Sequence, residues 1–319
     1  VTTSASTSHR LSGWLLNNGA LVGLLILCAG LSLATPHFIS ADNLLNVGVQ
    51  AATVAIIAFG MTFVIVTGGI DLSVGAVAAL GGMVTAYFWA DLGLPGWVTV
   101  LLGLATGLVC GMVAGAAIAV GKLPAFIATL AMMSITRGLT LVLSQGSPVA
   151  SPPAANWMGE DIGVMPMPIV MMALAGLVCW FILSRTVLGR SMYALGGNLE
   201  AARLSGIPVR RVLLSTYALC GVFAALAGLV MTARLSSAQP NAGTGYELDA
   251  IAAVVIGGAS LAGGRGGAWG TLVGAILLAV IRNGLNLLNV SSFWQQIVIG
   301  IVIALAVGFD VIRNKTISQ

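Results

Sequence analysis

Nine carboxylates, thirteen lysines and arginines, two histidines and four cysteines carry most of the chemistry open to this 319-residue chain. His9 and His37 stand alone, and Cys28, Cys110, Cys179 and Cys220 lie singly inside apolar runs. None has a second ligand at metal-binding spacing, so a metal centre, a cofactor or a histidine-based catalytic site has no support. A nucleotide site fares no better. A Walker A loop needs G-x-x-x-x-G-K-[ST], with backbone N–H groups cradling phosphates. The nearest stretch, "GAAIAVGKL" at 115–123, has one residue too many between glycines and ends in leucine. It reads as a glycine-packed helix closed by Gly121 and Lys122. What remains is a pair of acids in a repeated phrase. "IDLSVGAVAALGG" (70–82) and "YELDAIAAVVIGG" (246–258) each place a carboxylate, Asp71 or Glu247, ten positions before the first glycine of a pair.

The elements that hold these acids are set by an apolar composition. Hydrophobic residues make up 58% of the chain and charged ones 7%, against about 25% charged in a soluble domain. Mean hydropathy is +1.05. The apolar stretches are unbroken rather than alternating, which excludes a β-barrel and predicts an all-α polytopic membrane protein. About 20 mainly apolar residues cross a bilayer. That rule predicts ten spans near 18–35, 46–66, 71–90, 97–120, 125–143, 165–184, 212–234, 247–262, 267–288 and 293–311. The third and eighth are short or glycine-broken, so re-entry of one of them stays open. The polar, Arg10-containing start resembles a signal peptide, but an uncleaved first helix fits a chain that recrosses the bilayer many times.

Lysine and arginine set the orientation. With the N-terminus inside, cytoplasmic segments hold Arg10, Lys122, Arg185, Arg190, Arg203, Arg210, Arg211, Arg265, Arg313 and Lys315, ten of the thirteen basic residues. The outer loops hold Asp42, Asp91, Glu160 and Asp161. Arg137, Arg234 and Arg282 fall toward outer helix ends, where they either face an external partner or, for Arg137 and Arg282, pair inside the bundle. Both termini are therefore expected in the cytoplasm. The longest outer loop (144–168) is rich in proline and reads as a solvated connector.

Aligning Asp71 with Glu247 pairs Ala76 with Ala252 and Gly81-Gly82 with Gly257-Gly258 without a gap; Trp97 then pairs with Trp269, and Phe126 with Phe293. Spans two to five thus match spans seven to ten. A shift of five spans is odd, so the copies thread the membrane in opposite senses, the inverted-repeat arrangement of transporters. The single membrane domain, 1–319, divides into a first repeat (46–143), a cytoplasmic loop (185–211) and a second repeat (212–311). In each copy a glycine-rich break precedes the acid. There the carboxylate is either an N-terminal helix acid favoured by the dipole or a group lining or gating the pathway.

The cytoplasmic loop contains a short helix with start and stop signals. Asn198 is a good N-cap and Glu200 sits in the first turn. Ala201 and Ala202 favour helix, Gly206 suits the left-handed C-terminal position, and Pro208 forbids continuation. Two turns of helix cannot bury a core. Such an element either lodges in a cleft of another protein or lies at lipid headgroups through Arg203, Arg210 and Arg211.

"EAARLSG" matches the Glu-Ala-Ala-x-x-x-Gly core of the coupling loop in ABC importer permeases. "ALGGNLEAARLSGIPV", "ARLSSAQPNAGTGYELDAIAAVVIGGASLAGG", "VTGGIDLSVGA" and "FIATLAMMSITRGLTLVLSQGSPV" resemble permease subunits of bacterial monosaccharide importers, those for ribose above all. The similarity runs from about residue 40 to 310. It implies a homodimer in the bacterial inner membrane, a separate ATPase with two fused nucleotide-binding halves, and a periplasmic sugar-binding protein. It also implies that Asn198, Glu200, Ala201, Ala202, Arg203 and Gly206 form the ATPase contact. The permease itself would be no enzyme, and no nucleic-acid partner is expected.

A neutral sugar needs hydrogen-bonding groups along its route. Asn46, Gln50, Thr53 and Thr62 on span two are candidates, with Asn283, Asn286, Gln295 and Gln296 on spans nine and ten. Threonines in membrane helices also bond their own backbone, and amides bridge helices. The rival reading is an ion-coupled secondary sugar transporter, which would be expected to place a carboxylate or a cation site at mid-membrane; the sequence shows none.

Overall fold

The computed structural model describes residues 19–317. Arg10 and the rest of the polar start lie outside the described residues. The helices are α1 (Gly19–Ala34), α2 (Ala41–Val66), α3 (Val74–Ala90), α4 (Gly96–Ala119), α5 (Ala125–Ser144), α6 (Pro153–Asn156), α7 (Met167–Arg185), α8 (Val187–Gly197), α9 (Leu199–Leu204), α10 (Val209–Arg234), α11 (Tyr246–Ile256), α12 (Ala268–Leu287) and α13 (Ser292–Ile317). Four two-residue strands accompany them: β1 (Val149–Ala150), β2 (Asp161–Ile162), β3 (Met165–Pro166) and β4 (Ser237–Ala238). Six helices, α2, α4, α5, α7, α10 and α12, are long and apolar enough to cross a membrane. The chain is an all-α polytopic membrane protein.

Each expected span coincides with a helix, with one correction. The eighth, read as 247–262, ends as helix α11 at Ile256. Eleven residues rise only about 16 Å, roughly half of a 30 Å hydrocarbon core. Beyond it the chain turns on Gly258, Gly263 and Gly264, all at positive φ. Glycine alone enters that region without a Cβ penalty.

Two 26-residue helices form the centre. α2 starts on the Ser40 side chain, which accepts from the Asn43 N–H, and is buried almost without interruption from Ala51 to Val66. It packs against α10, and the Phe63 and Phe223 rings meet edge to face at 5.6 Å. α10 also lies on α3 and α4, whereas α2 lies on α11 and α12. α10 is thus seated chiefly on the second and third helices of the other half, and α2 on those two of its opposite half together with α7.

Lipid supplies no hydrophobic drive for helix association, so close backbone approach carries it. Gly107 of α4 and Gly221 of α10 face each other: a Cβ on either would strike the other's carbonyl oxygen. Gly228 abuts the Ala78 carbonyl in the same way, and in the second half Gly274 abuts that of Ala253. Polar pairs fix the register of α2 on α12. Thr62 bonds the Ala58 carbonyl and, at 2.7 Å, the Thr271 hydroxyl. Asn43 and Asn283 exchange two bonds of 3.0 and 2.8 Å. Removing the amide in Asn283→Leu is expected to destabilise the protein by about 1–2 kcal/mol, measurable as a lower thermal midpoint in detergent.

The 144–168 segment is not the solvated connector that its composition suggests. β1 pairs antiparallel with β4, Ser151 donates its N–H to the Ser236 carbonyl, and Ala155 and Met158 are buried beside Leu229 and Ala233 of α10. Small residues allow this. Gly96 fits against Ala154, and Gly159 against the backbone of Ala233 and Arg234.

Candidate functional site

The break before Glu247 meets the first turn of α3, the helix that follows Asp71. A Cβ on Gly75 would strike the Gly243 carbonyl oxygen, and one on Gly243 that of Gly75. The Glu247 carboxylate lies against Gly75 as well as in the first turn of α11. Glu247 therefore stands beside the first turn of α3, the helix opened by the other copy, where the dipole favours an acid. Arg137 of α5 locks the same junction by donating through Nη1 to the carbonyls of Pro240 (3.0 Å) and Ala242 (2.9 Å). Its expected place inside the bundle is met, with backbone carbonyls as partners.

Asp71 is 2% exposed and accepts from both the N–H and the hydroxyl of Ser73, at 2.8 and 2.6 Å. Ser73 is the N-cap of α3 and makes no capping bond to the helix with its side chain. The break folds back into the bundle, with the Gly69 N–H on the Val64 carbonyl, and brings Asp71 to Cys220 of α10. That residue lies about three turns, roughly 17 Å, along α10. Asp71 is an interior acid of the bundle.

A second interior acid was not anticipated. Asp249 of α11, 5% exposed, pairs with Arg282 of α12 at 2.6 Å. Asp71 and Asp249 are thus two carboxylates buried within the bundle. Asp249 and Arg282 border a cavity of about 120 Å³ together with Gln50, Thr53, Arg234 and Tyr246. Residues of both halves converge here. The Thr53 hydroxyl is buried without a hydrogen-bond partner among the described residues. The volume holds about four waters at 30 Å³ each and is well below the roughly 300 Å³ at which ligand pockets begin.

The other candidate hydroxyls and amides separate by role. Thr62 and Asn283 are spent on helix pairing. Gln295 donates to Asn286 at 2.7 Å. Asn46, Asn286 and Gln296 are exposed.

The 185–211 segment holds two helices where the sequence promised one. α8 starts on the Thr186 side chain, which accepts from the Gly189 N–H, and buries Gly189, Met192 and Leu195. Their three-residue spacing after a threonine cap was the available signal. α9 follows the expected pattern. Asn198 accepts from the Ala201 N–H at 2.9 Å, Glu200 pairs with Arg203 at 3.4 Å on the surface, and Gly206 takes φ +80°. Ala202 turns inward, 4% exposed, while Glu200, Ala201, Arg203 and Gly206 are exposed. α8 joins α9 to the bundle core. Gly196 packs on the Val66 carbonyl at the end of α2, and the Tyr193 hydroxyl donates to Gly266 at 2.8 Å. The Gly264 N–H closes the triangle by donating to Val66 at 2.9 Å.

Six helices of membrane-spanning length and apolarity around a shared core, with a capped short helix at one end, are the architecture of a polytopic membrane protein. The chain belongs to the family described as the permease component of the branched-chain amino acid transport system, whose model matches residues 43–307. It is 50% identical over 304 residues to a ribose import permease protein of Escherichia coli, covering 93% of this chain and 94% of that one. The corresponding protein of Bacillus subtilis is 48% identical over 304 residues, covering 93% of each. A D-allose transport system permease protein of Escherichia coli is 38% identical over 286 residues, covering 89% and 88%. No solved structure matches the chain.

Proposed function

We propose that this chain is the membrane-spanning permease subunit of a bacterial ABC importer and carries a monosaccharide, ribose, across the inner membrane. High identity to ribose import permeases over nearly the full length supports the solute. A permease for D-allose among the relatives keeps the choice within monosaccharides. The partners of this reading are a cytoplasmic ATPase with two fused nucleotide-binding halves, a periplasmic sugar-binding protein and a second copy of the chain.

Ten helices cross or enter the bilayer, with both termini in the cytoplasm. The repeats 46–143 and 212–311 thread it in opposite senses, and 185–211 is the coupling loop. The exchanged seating of α2 and α10 is what this symmetry would produce. The observation that carries the mechanism is the contact of α8 with both halves at once, on Val66 of the first and on Gly264 and Gly266 of the second. A push on α9 from the ATPase then reaches both repeats through one short lever. The contact of Gly243 with Gly75 in the first turn of α3 is the hinge on which they rock, with Asp71 and Glu247 holding its two sides. Gln50 and Thr53 are the foremost sugar contacts, in a cavity that must widen for passage. Asn46, Asn286, Gln295 and Gln296 serve the outer approach.

The test is co-purification with a candidate ATPase and binding protein, followed by ribose uptake into proteoliposomes loaded with ATP. Absence of ATP-dependent uptake with all three components present would refute the assignment. Glu200→Lys is expected to cut uptake at least tenfold, because it reverses the charge in the first turn of α9 and breaks the pair with Arg203 while leaving membrane insertion intact. Undiminished uptake in that variant would remove α9 from the coupling path. The buried carboxylates Asp71 and Asp249 give an ion-coupled carrier its one foothold. That reading requires uptake to collapse on addition of an uncoupler at constant ATP.

A further inference from the structure

A groove of about 910 Å³ opens beside α9, between the C-terminal end of α4 and the N-terminal end of α10. Four cations line it, Lys122, Arg203, Arg210 and Arg211, and no acid does. Lys122 is held at φ +58° in the α4–α5 turn. The N-terminus of α10 has no side-chain cap, so its free N–H groups add to the positive field. The floor is apolar, built from Ile118, Leu123 and Leu213. The same helix that ends at the groove carries an exposed apolar side. Leu101, Leu108, Val109, Met112 and Val113 of α4, and Val120 at its C-cap, are each at least 40% exposed.

This combination selects among occupants. A soluble anion would use the cations but has no need of the apolar side. An acidic protein segment would sit above the membrane-length helices, not along one. A molecule with a negative head and a long apolar tail uses both parts, and the groove lies at the ends of two helices that cross the membrane, at headgroup level. We propose that the groove is a binding site for an anionic phospholipid, its headgroup among Lys122, Arg203, Arg210 and Arg211 and one acyl chain along α4. Seated there, the lipid would brace the base of α9. The inference holds whichever solute is carried.

The full-length protein in detergent, titrated with phosphatidylglycerol or phosphatidylcholine and followed by native mass spectrometry, tests this. Phosphatidylglycerol should be retained in preference to phosphatidylcholine. The double variant Arg210→Gln/Arg211→Gln should weaken its retention about 25-fold, since each basic group near an anionic headgroup contributes about fivefold. Arg190→Gln, an exposed arginine outside the groove, should leave retention unchanged. Should the double variant lose its monodisperse profile, Lys122→Gln alone should weaken retention about fivefold. Equal retention of both lipids overturns the proposal, as does displacement by inorganic phosphate alone. So does a double variant that keeps its lipid but no longer binds the ATPase, because the groove would then belong to that partner.

Discussion

Arg282→Met will leave Asp249 as a lone charge in the bundle and cost about 3–5 kcal/mol, the usual penalty for removing one partner of a buried ion pair. The Asp249 side chain is 7% exposed and its partner 33%, so the arginine can reach solvent and the carboxylate cannot. Removing the arginine is therefore the harsher of the two single changes. The variant should unfold at markedly lower temperature in detergent or fail to accumulate in the membrane. The double variant Asp249→Leu/Arg282→Met removes both charges and should recover most of the loss, because a buried pair is often no better than apolar residues of similar volume. A double-mutant cycle on thermal stability reads this directly. If the two single losses simply add, the pair contributes no coupling and its role as a clamp between α11 and α12 is wrong.

Gly228→Leu is expected to be at least as damaging. A Cβ there meets the carbonyl, carbonyl carbon and Cα of Ala78, all backbone, so no side chain can swing aside. Overpacking typically costs 1–3 kcal/mol. Here α10 must move off α3 bodily, so about 3 kcal/mol or more is expected, together with loss of the neighbouring Gly107–Gly221 contact. Gly30→Leu provides the contrast. It lies in α1, with nothing within 4 Å of its added Cβ, and should be tolerated. Comparable yield and melting temperature for the two variants would mean that the glycine contacts do not hold the helices together.

Each stretch expected from hydropathy coincides with a helix, because burial in lipid demands length and apolarity from each segment on its own. Hydropathy failed where helix and buried loop have the same composition. "GGASLAGG" after Ile256 is as apolar as a helix end, yet Gly258 at φ +94° turns the chain out of helix. α8 was missed because a break at Thr186 in an otherwise continuous helical stretch is small beside the stronger cap at Asn198. The Asp249–Arg282 pair has no local signature at all, since 33 residues separate its members. The candidate site divides in the same way. Asn198, Glu200 and Gly206 are legible because caps are local, and the likeness of the Asp71 and Glu247 phrases is a matter of sequence alone. That these two phrases touch, through Gly75 and Gly243, is a property of the packed bundle. The 144–168 segment reads as polar and proline-rich, and composition does not report the close packing through Gly159, Ala155 and Met158 that holds it to α10.

The reciprocal seating of α2 and α10 has a consequence for synthesis. When the ribosome delivers α2, the helices α11 and α12 that will cover it do not yet exist. Its hydroxyls at Thr53 and Thr62 and its glycines must wait in the bilayer or under a chaperone until the last third of the chain emerges. Neither half can then mature alone, and a chain cut between α9 and α10 should yield lasting protein only when both fragments are made in the same cell.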